Sequence, residues 1–267
     1  SDINAFALPG GYVYVTLGLM AMVNSEAELA GVLGHEIGHI IFHHGARQML
    51  RSIGSQILAL GGAIASPKNA GQWLTVSTAM FQQINMGYGR EAEIESDEQG
   101  ILNSMEAGYS PFGMSGFLKS LRRKEIMSGQ AYHSFQASHP DTRDRIIKAG
   151  LLAGRMSDEA VDVNSYRNRY LHQLLGLKYK GQQHGGDKKR HEPMYIDIYE
   201  VQKGDTFQSI AEKEMGNRRK DLDITVMNGR KESSQPKSGD LLKLVRKGKF
   251  EKGKFLHIKT KPTPDPE

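Results

Sequence analysis

Residues 34–44 read GHEIGHIIFHH, with His35 and His39 four positions apart and Glu36 between them. On a helix, positions i and i+4 share a face one turn apart. Two imidazoles so spaced can grip one ion from adjacent turns, while Glu36 reaches a water on the open coordination position. This demands a rigid helix whose inward face is polar at its centre, and the flanking sequence provides one. Asn24 or Ser25 can cap it, Glu26 and Glu28 fall in its first turn, and apolar residues recur at helical spacing through ELAGVLGHEIGHII.

His43 repeats the four-residue step but lies eight residues from His35, roughly 12 Å along a helix axis. A zinc–nitrogen bond is about 2 Å, so one ion cannot join both, and His43 and His44 are expected to serve structure or to support the ligands. The longer zinc pattern HExxHxxGxxH is excluded, because Phe42 and Gly45 stand where it needs Gly and His. The 267 residues contain no cysteine, which removes disulfides, thiolate zinc sites and cysteine nucleophiles. A third ligand is therefore expected to be an acid on another helix. REAEIESDEQG offers Glu91, Glu93, Glu95, Asp97 and Glu98. Glu93, Asp97 and Gly100 form one helical stripe whose glycine allows close approach to the metal-bearing helix. In that arrangement Glu93 ligates and Asp97 accepts a hydrogen bond from a ligating imidazole. Spacing favours Glu93 over Glu95 only slightly.

The chain is long enough for one sizeable domain and a small second one. NAFALPGGYVYVTLGLM reads as two short strands about a Pro-Gly-Gly turn, and GREAEIESDEQGILNSMEAG as a helix closed by Gly108. Ser110 and Pro111 start another helix, and more helix is expected near 141–153 and 157–176. Between these lie a Gly/Ala-rich hairpin at 52–80, with Trp73, and the apolar stretch Ile53–Ser66, too short to span a bilayer. Residues 178–194 read as a linker, 195–250 as a compact α/β module and 251–267 as a disordered Pro-rich tail. Residues 178–267 hold 21 Lys and Arg against 14 Asp and Glu, whereas 1–177 hold 14 against 16. The basic excess thus belongs to the C-terminal third, as a solvated face or one drawn to an anionic surface. It lacks the interleaved aromatics of a nucleic-acid binder, and no nucleic acid is expected as a partner. The sequence opens in strand-like residues with neither an initiator Met nor a signal peptide, so any targeting signal is expected upstream.

NAFALPGGYVYVTLGLM, ELAGVLGHEIGHIIFHHG, GREAEIESDEQG and SHPDTRDRI occur in the order seen in the HtpX/Oma-type zinc metallopeptidases, which include the CAAX prenyl endopeptidases. The likeness spans about residues 4 to 147 and rests on four separate motifs. It implies a gluzincin-type core, mostly α with a small β-sheet, in a catalytic domain over 1–177. It implies one Zn²⁺ per chain held by His35, His39 and Glu93, with Asp97 behind them and Glu36 as general base. The family's His-Pro motif falls on His139-Pro140, with Arg145 behind it. His139 or Arg145 is then the donor to a developing oxyanion, and His139 is alternatively a fourth ligand in a resting state. Lacking clear transmembrane helices, the chain looks more like the soluble periplasmic branch, whose bacterial members act in envelope protein quality control.

The resemblance implies a zinc endopeptidase acting on protein or peptide substrates. The strand-like NAFAL, with Asn4, Ala5 and Phe6, reads either as a sheet edge that pairs with an extended substrate or as a plain structural strand. YEVQKGDTFQSIAEKEMGN, VMNG and SGDLLKLV resemble the LysM glycan-binding repeat, which makes peptidoglycan or membrane-surface contact the expectation to weigh beside a purely structural role. Two rivals stand. One is a chaperone or adaptor with an intact but latent zinc site, and the other is a protein that chiefly binds cell wall.

Overall fold

In a computed structural model the chain is described at residues 2–8, 10–48, 50, 87–128, 135–139, 142–157, 165–179, 193–231 and 233–250. The hairpin at 52–80 with Trp73, the stretch Ile53–Ser66, Pro140 and the tail 251–267 lie outside these residues. The described chain is mostly helical with two small sheets. An antiparallel pair, β1 (Ala5–Leu8) and β2 (Tyr12–Val15), turns through Gly10 and Gly11, both at positive φ. There follow α1 (Leu17–Met22), α2 (Glu26–Ile41), α3 (Arg90–Glu106), α4 (Phe112–Ser128), α5 (Phe135–Ser138), α6 (Thr142–Met156) and α7 (Arg167–Gln173). No described helix is long and apolar enough to cross a membrane.

The helix α2 begins at Ser25, whose side chain accepts from the Glu28 N–H, with Glu26 and Glu28 in the first turn where the helix dipole favours acids. Its inner face carries Gly31, Gly34 and Gly38. A Cβ on Gly34 would meet the Gly100 carbonyl oxygen at 2.7 Å, and one on Gly31 would meet the Met114 backbone nitrogen at 2.7 Å. One on Gly38 would meet the Ser96 Cα at 3.0 Å. The backbones of α2 and α3 therefore touch. The buried stripe of α3 is Glu93, Ser96, Asp97, Gly100, Ile101 and Ser104, mostly polar, so this helix is held by what its carboxylates meet rather than by an apolar face.

The main core gathers Ile3, Leu19, Met22 and Val32 with Met114, Phe117, Leu121, Phe135 and Leu171. It continues into Ile196, Ile198 and Leu241 of the C-terminal unit. That unit comprises β4 (Met194–Glu200), α8 (Phe207–Met215), a 3₁₀ turn (Arg218–Lys220), α9 (Asp221–Met227) and β5 (Leu241–Lys247), with β5 antiparallel to β4. Residues 178–194 were expected to be a linker, but Lys178–Tyr179 form a strand, β3, on the other edge of β4, and β4 itself begins at Met194. The strand β4 is buried on both sides, which gives the unit a second small core around Phe207, Ile210, Ile224 and Leu242. Lys243 anchors the unit. Its buried Nζ donates to the carbonyls of Ala21 at 2.7 Å, Met22 at 3.2 Å and Val23 at 2.8 Å. Three carbonyls thus surround Nζ at the end of α1, where backbone carbonyls lack helical partners, and burial holds this lysine well below the usual range. Arg167 adds a bond to the Asn24 carbonyl at 3.0 Å.

Gly34→Ala is expected to destabilise the fold by about 1–3 kcal/mol, because its methyl must force two backbones apart. Gly150→Ala, on α6 with nothing within 4 Å of the added carbon, is expected to be neutral or to stabilise by up to about 1 kcal/mol. Urea denaturation of both variants checks the contrast.

Candidate metal centre

The helix α2 presents His35 and His39 on one face, and the glycine contact brings α3 close enough for Glu93 to meet them. His35 Nε2 and His39 Nε2 are 3.0 Å apart, and the Glu93 carboxylate lies 3.5 Å from the first and 3.4 Å from the second. His139, just past α5, brings its Nδ1 to 3.1 Å from Glu93 and 3.2 Å from His35 Nε2. The ligand atoms of these four residues lie within 4.8 Å of one another, and none of the residues is more than 2% exposed.

The surroundings set the protons on the imidazoles. Asp97 stands 2.8 Å from His35 Nδ1, and an ionised carboxylate only accepts, so Nδ1 carries the hydrogen and Nε2 presents a lone pair inward. Arg145 grips Asp97 through Nε and Nη2, both at 2.7 Å, and reaches Glu93 through Nη1 at 2.6 Å. Its remaining contacts are the His139 carbonyl at 3.3 Å and His35 Nδ1 at 3.5 Å. Arg145 or His139 was expected to donate to the oxyanion. The guanidinium of Arg145 is instead engaged with two carboxylates that bracket the site. Glu95, the rival to Glu93, points away from the cluster and lies 3.0 Å from His44 Nε2. His43 is exposed. Asn4 lies beside the site: its N–H donates to Thr16 Oγ1, and its Oδ1 accepts from Ser138 Oγ at 3.4 Å. Ala5 and Phe6 form the start of β1. Tyr88 was not signalled by any motif. Its ring stacks on His39 with centroids 4.0 Å apart and planes 21° from parallel.

Burial and neighbouring charge together set the titration behaviour. Burial pushes His35 down, and pushes His39 down to about 4. Burial alone would raise Glu93, but His139 and Arg145 outweigh it and hold the carboxyl well below the usual range. Arg145 does the same for Asp97 against its own burial. Burial works to lower His139, yet the Glu93 and Glu36 carboxylates prevail and raise it. Tyr88 is pushed up to about 12, by burial first and then by the charges of Glu36 and Glu93.

These groups suit a divalent cation. Glu36, Glu93 and Asp97 set three buried carboxyls against one guanidinium and the raised imidazole of His139, so acidic groups outnumber their cationic partners in an interior that tolerates imbalance poorly. His35 Nε2 and His39 Nε2 face each other at 3.0 Å with room for a shared cation to take the place of any hydrogen between them. Glu36 Oε1 and His139 Nε2 are buried and 3.4 Å from each other, with no closer hydrogen-bond partner among the described residues. Nitrogen and carboxylate donors without sulfur match zinc or a similar borderline metal.

Residues 1–150 match the model of peptidase family M48. The chain belongs to this family. Relatives of the M48 chain include metalloprotease YcaL of Escherichia coli, 33% identical over 148 residues, and the mitochondrial metalloendopeptidase OMA1 of Arabidopsis thaliana, 30% identical over 143. Each match covers 54% of this chain, and respectively 56% and 28% of the relative. The chain is also 30% identical over 166 residues to the beta-barrel assembly-enhancing protease of Escherichia coli, a match covering 58% of this chain and 33% of that one. It thus spans less than two thirds of the length of each.

A pH prediction follows for the metal-free protein. Depressed imidazole values mean that the folded state binds fewer protons than the unfolded chain. The stability contributed by His35 and His39 is complete above pH 6.5 and is lost as pH falls, for His39 down to about 4. The depressed carboxyls of Glu93 and Asp97 contribute stability present above their ordinary 4.5 and 3.8 and lost at more acid pH. His139 opposes these, with stability present below 6.5 and fading as pH rises through its folded value. Because the His139 contribution changes little below 6.5 while those of His35 and His39 are lost there, the free energy of unfolding is expected to fall by about 1–3 kcal/mol between pH 6.5 and 4. Urea titrations across that range measure it, and an increase on acidification would contradict the proton assignment.

Proposed function

We propose that the chain is a zinc-dependent metalloendopeptidase. The observation that carries this reading is the buried meeting of His35, His39 and Glu93, with the Glu36 carboxyl beside them and 3.4 Å from His139 Nε2. His35, His39 and Glu93 hold the metal. When bound, zinc supplies a Lewis acid that polarises a scissile carbonyl and makes water a better nucleophile. Glu36 takes the proton of the attacking water and later delivers it to the leaving amine. Asp97 fixes the His35 ring through Nδ1. Arg145 positions Glu93 and Asp97 rather than donating to the oxyanion, since its nitrogens are already engaged with them. His139 has two roles consistent with its place: fourth donor while the site rests, and hydrogen-bond donor to the oxyanion once it swings aside. The main chain of Asn4, Ala5 and Phe6 pairs with an extended substrate.

The likeness to a beta-barrel assembly-enhancing protease supports envelope proteins, misfolded ones included, as substrates and a periplasmic or envelope location. We assign 1–177 to the catalytic domain and 195–250 to a LysM-like module. The lysines of the module suit it to peptidoglycan, to a membrane surface or to docking of substrate. A second reading, a latent or chaperone-like protein with an intact metal site, draws support from the burial of every donor.

The test is digestion of casein by the purified chain. Hydrolysis is expected to stop on chelation and to fall at least about 100-fold in Glu36→Gln, with one zinc still bound per chain by metal analysis. Undiminished hydrolysis by Glu36→Gln would refute the peptidase reading. Failure of the wild type to cleave, with unfolded protein kept soluble, would favour the latent one.

A further inference from the structure

His44 is left without a task by the reading above, yet it is only 6% exposed and sits against the metal centre. A continuous helix would not put it there, because residues five apart point about 140° away from each other. The chain breaks the helix to do so. Helix α2 stops at Ile41, Phe42 caps it, and His43 adopts φ +53°, the left-handed region that residues with a Cβ enter at a cost. Residues 44–48 then start a new helical turn, with the Arg47 N–H donating to the His43 carbonyl at 2.9 Å. This brings His44 Nδ1 to 2.9 Å from His39 Nδ1, and His44 Nε2 to 3.0 Å from Glu95 Oε2.

The direction of the protons follows from the end of the chain. A carboxylate accepts and does not donate, so His44 Nε2 carries a hydrogen toward Glu95. The neutral His44 ring then has a lone pair on Nδ1, which accepts from His39 Nδ1–H and, at 3.3 Å, from the Ser96 hydroxyl. His39 is left with Nε2 bare and directed at His35 and Glu93, while Tyr88 stacked on its face keeps the ring from tilting.

We propose that His44 and Glu95 are positioning residues that lock His39 in the tautomer whose Nε2 faces the metal. The inference rests on the metal-site reading above and extends it. His44 does for His39 what Asp97 does for His35, through an imidazole in place of a carboxylate.

The test measures zinc affinity of the full chain by competition with a chromophoric chelator, not turnover. His44→Leu is expected to bind zinc about 10- to 100-fold more weakly than wild type. His44→Asn, which restores a carbonyl acceptor near the position of Nδ1, is expected to recover most of that loss. Glu95→Leu is expected to lose less than His44→Leu, since His44 keeps Ser96 as a partner. Long-range proton–nitrogen NMR of the zinc-loaded wild type reads the tautomers directly, with hydrogen expected on Nδ1 of His39 and on Nε2 of His44. Unchanged affinity in a folded His44→Leu, or hydrogen on Nδ1 of His44, would overturn the proposal. If His44→Leu fails to fold, the NMR tautomers decide. A wild type that takes up no zinc, or a Glu93→Ala variant that binds it as tightly, would bring down the metal-site reading and this inference together.

Discussion

The contact of α2 with α3 at Gly34 and Gly100 is the constraint on which the rest of the structure depends. A glutamate on one helix reaches two histidines on the next only if the backbones lie closer than ordinary side chains permit. Gly34 and Gly38 on α2 and Gly100 on α3 remove the atoms that would hold these two helices apart, while Gly31 does the same toward Met114 of α4. Glycine inside a helix costs roughly 1 kcal/mol relative to alanine, so this seam is stabilised by what it brings together. The favourable terms are Arg145 bridging Asp97 and Glu93, and Asp97 bonded to His35.

The same closeness makes the site electrostatically demanding. Three buried carboxylates, one guanidinium and a set of imidazoles cannot all settle by local pairing, and the titration shifts record the competition: histidines on α2 pushed down by burial, His139 pulled up by carboxylates. A divalent cation held among these groups would relieve that competition. His35 and His39 are each also met on the outer nitrogen, His35 by Asp97 and His39 by His44. The inner nitrogens are thereby committed before any ion arrives.

The C-terminal unit is joined to the helical part by more than its connecting chain. Lys243 is inserted at the end of α1, Arg167 ties Asn24 to the unit, and Ile196 and Ile198 are shared with the main core. The start of α2 and the docking surface of this unit are therefore neighbours, with Ser25 capping the helix next to Asn24. Composition located the basic excess in this part of the chain but could not indicate that one of its lysines is fully buried, because a lone lysine in a strand reads as solvent-facing.

The sequence by itself determined the local geometry: a capped helix with His35, Glu36 and His39 at fixed spacing, and a stripe of Glu93, Asp97 and Gly100 on another. Helical periodicity is a property of neighbouring residues, so it can be read without knowing what lies opposite. It could not choose firmly between Glu93 and Glu95, two residues apart on one turn. That choice depended on how α3 rotates against the glycine face, which turned Glu93 inward and Glu95 toward His44. Nor could it foresee that Arg145 would be engaged with carboxylates, that Tyr88 would stack on His39, or that a left-handed His43 would return His44 to the cluster. These are contacts between residues distant in sequence, or depend on one backbone torsion, and only the packed tertiary structure decides them.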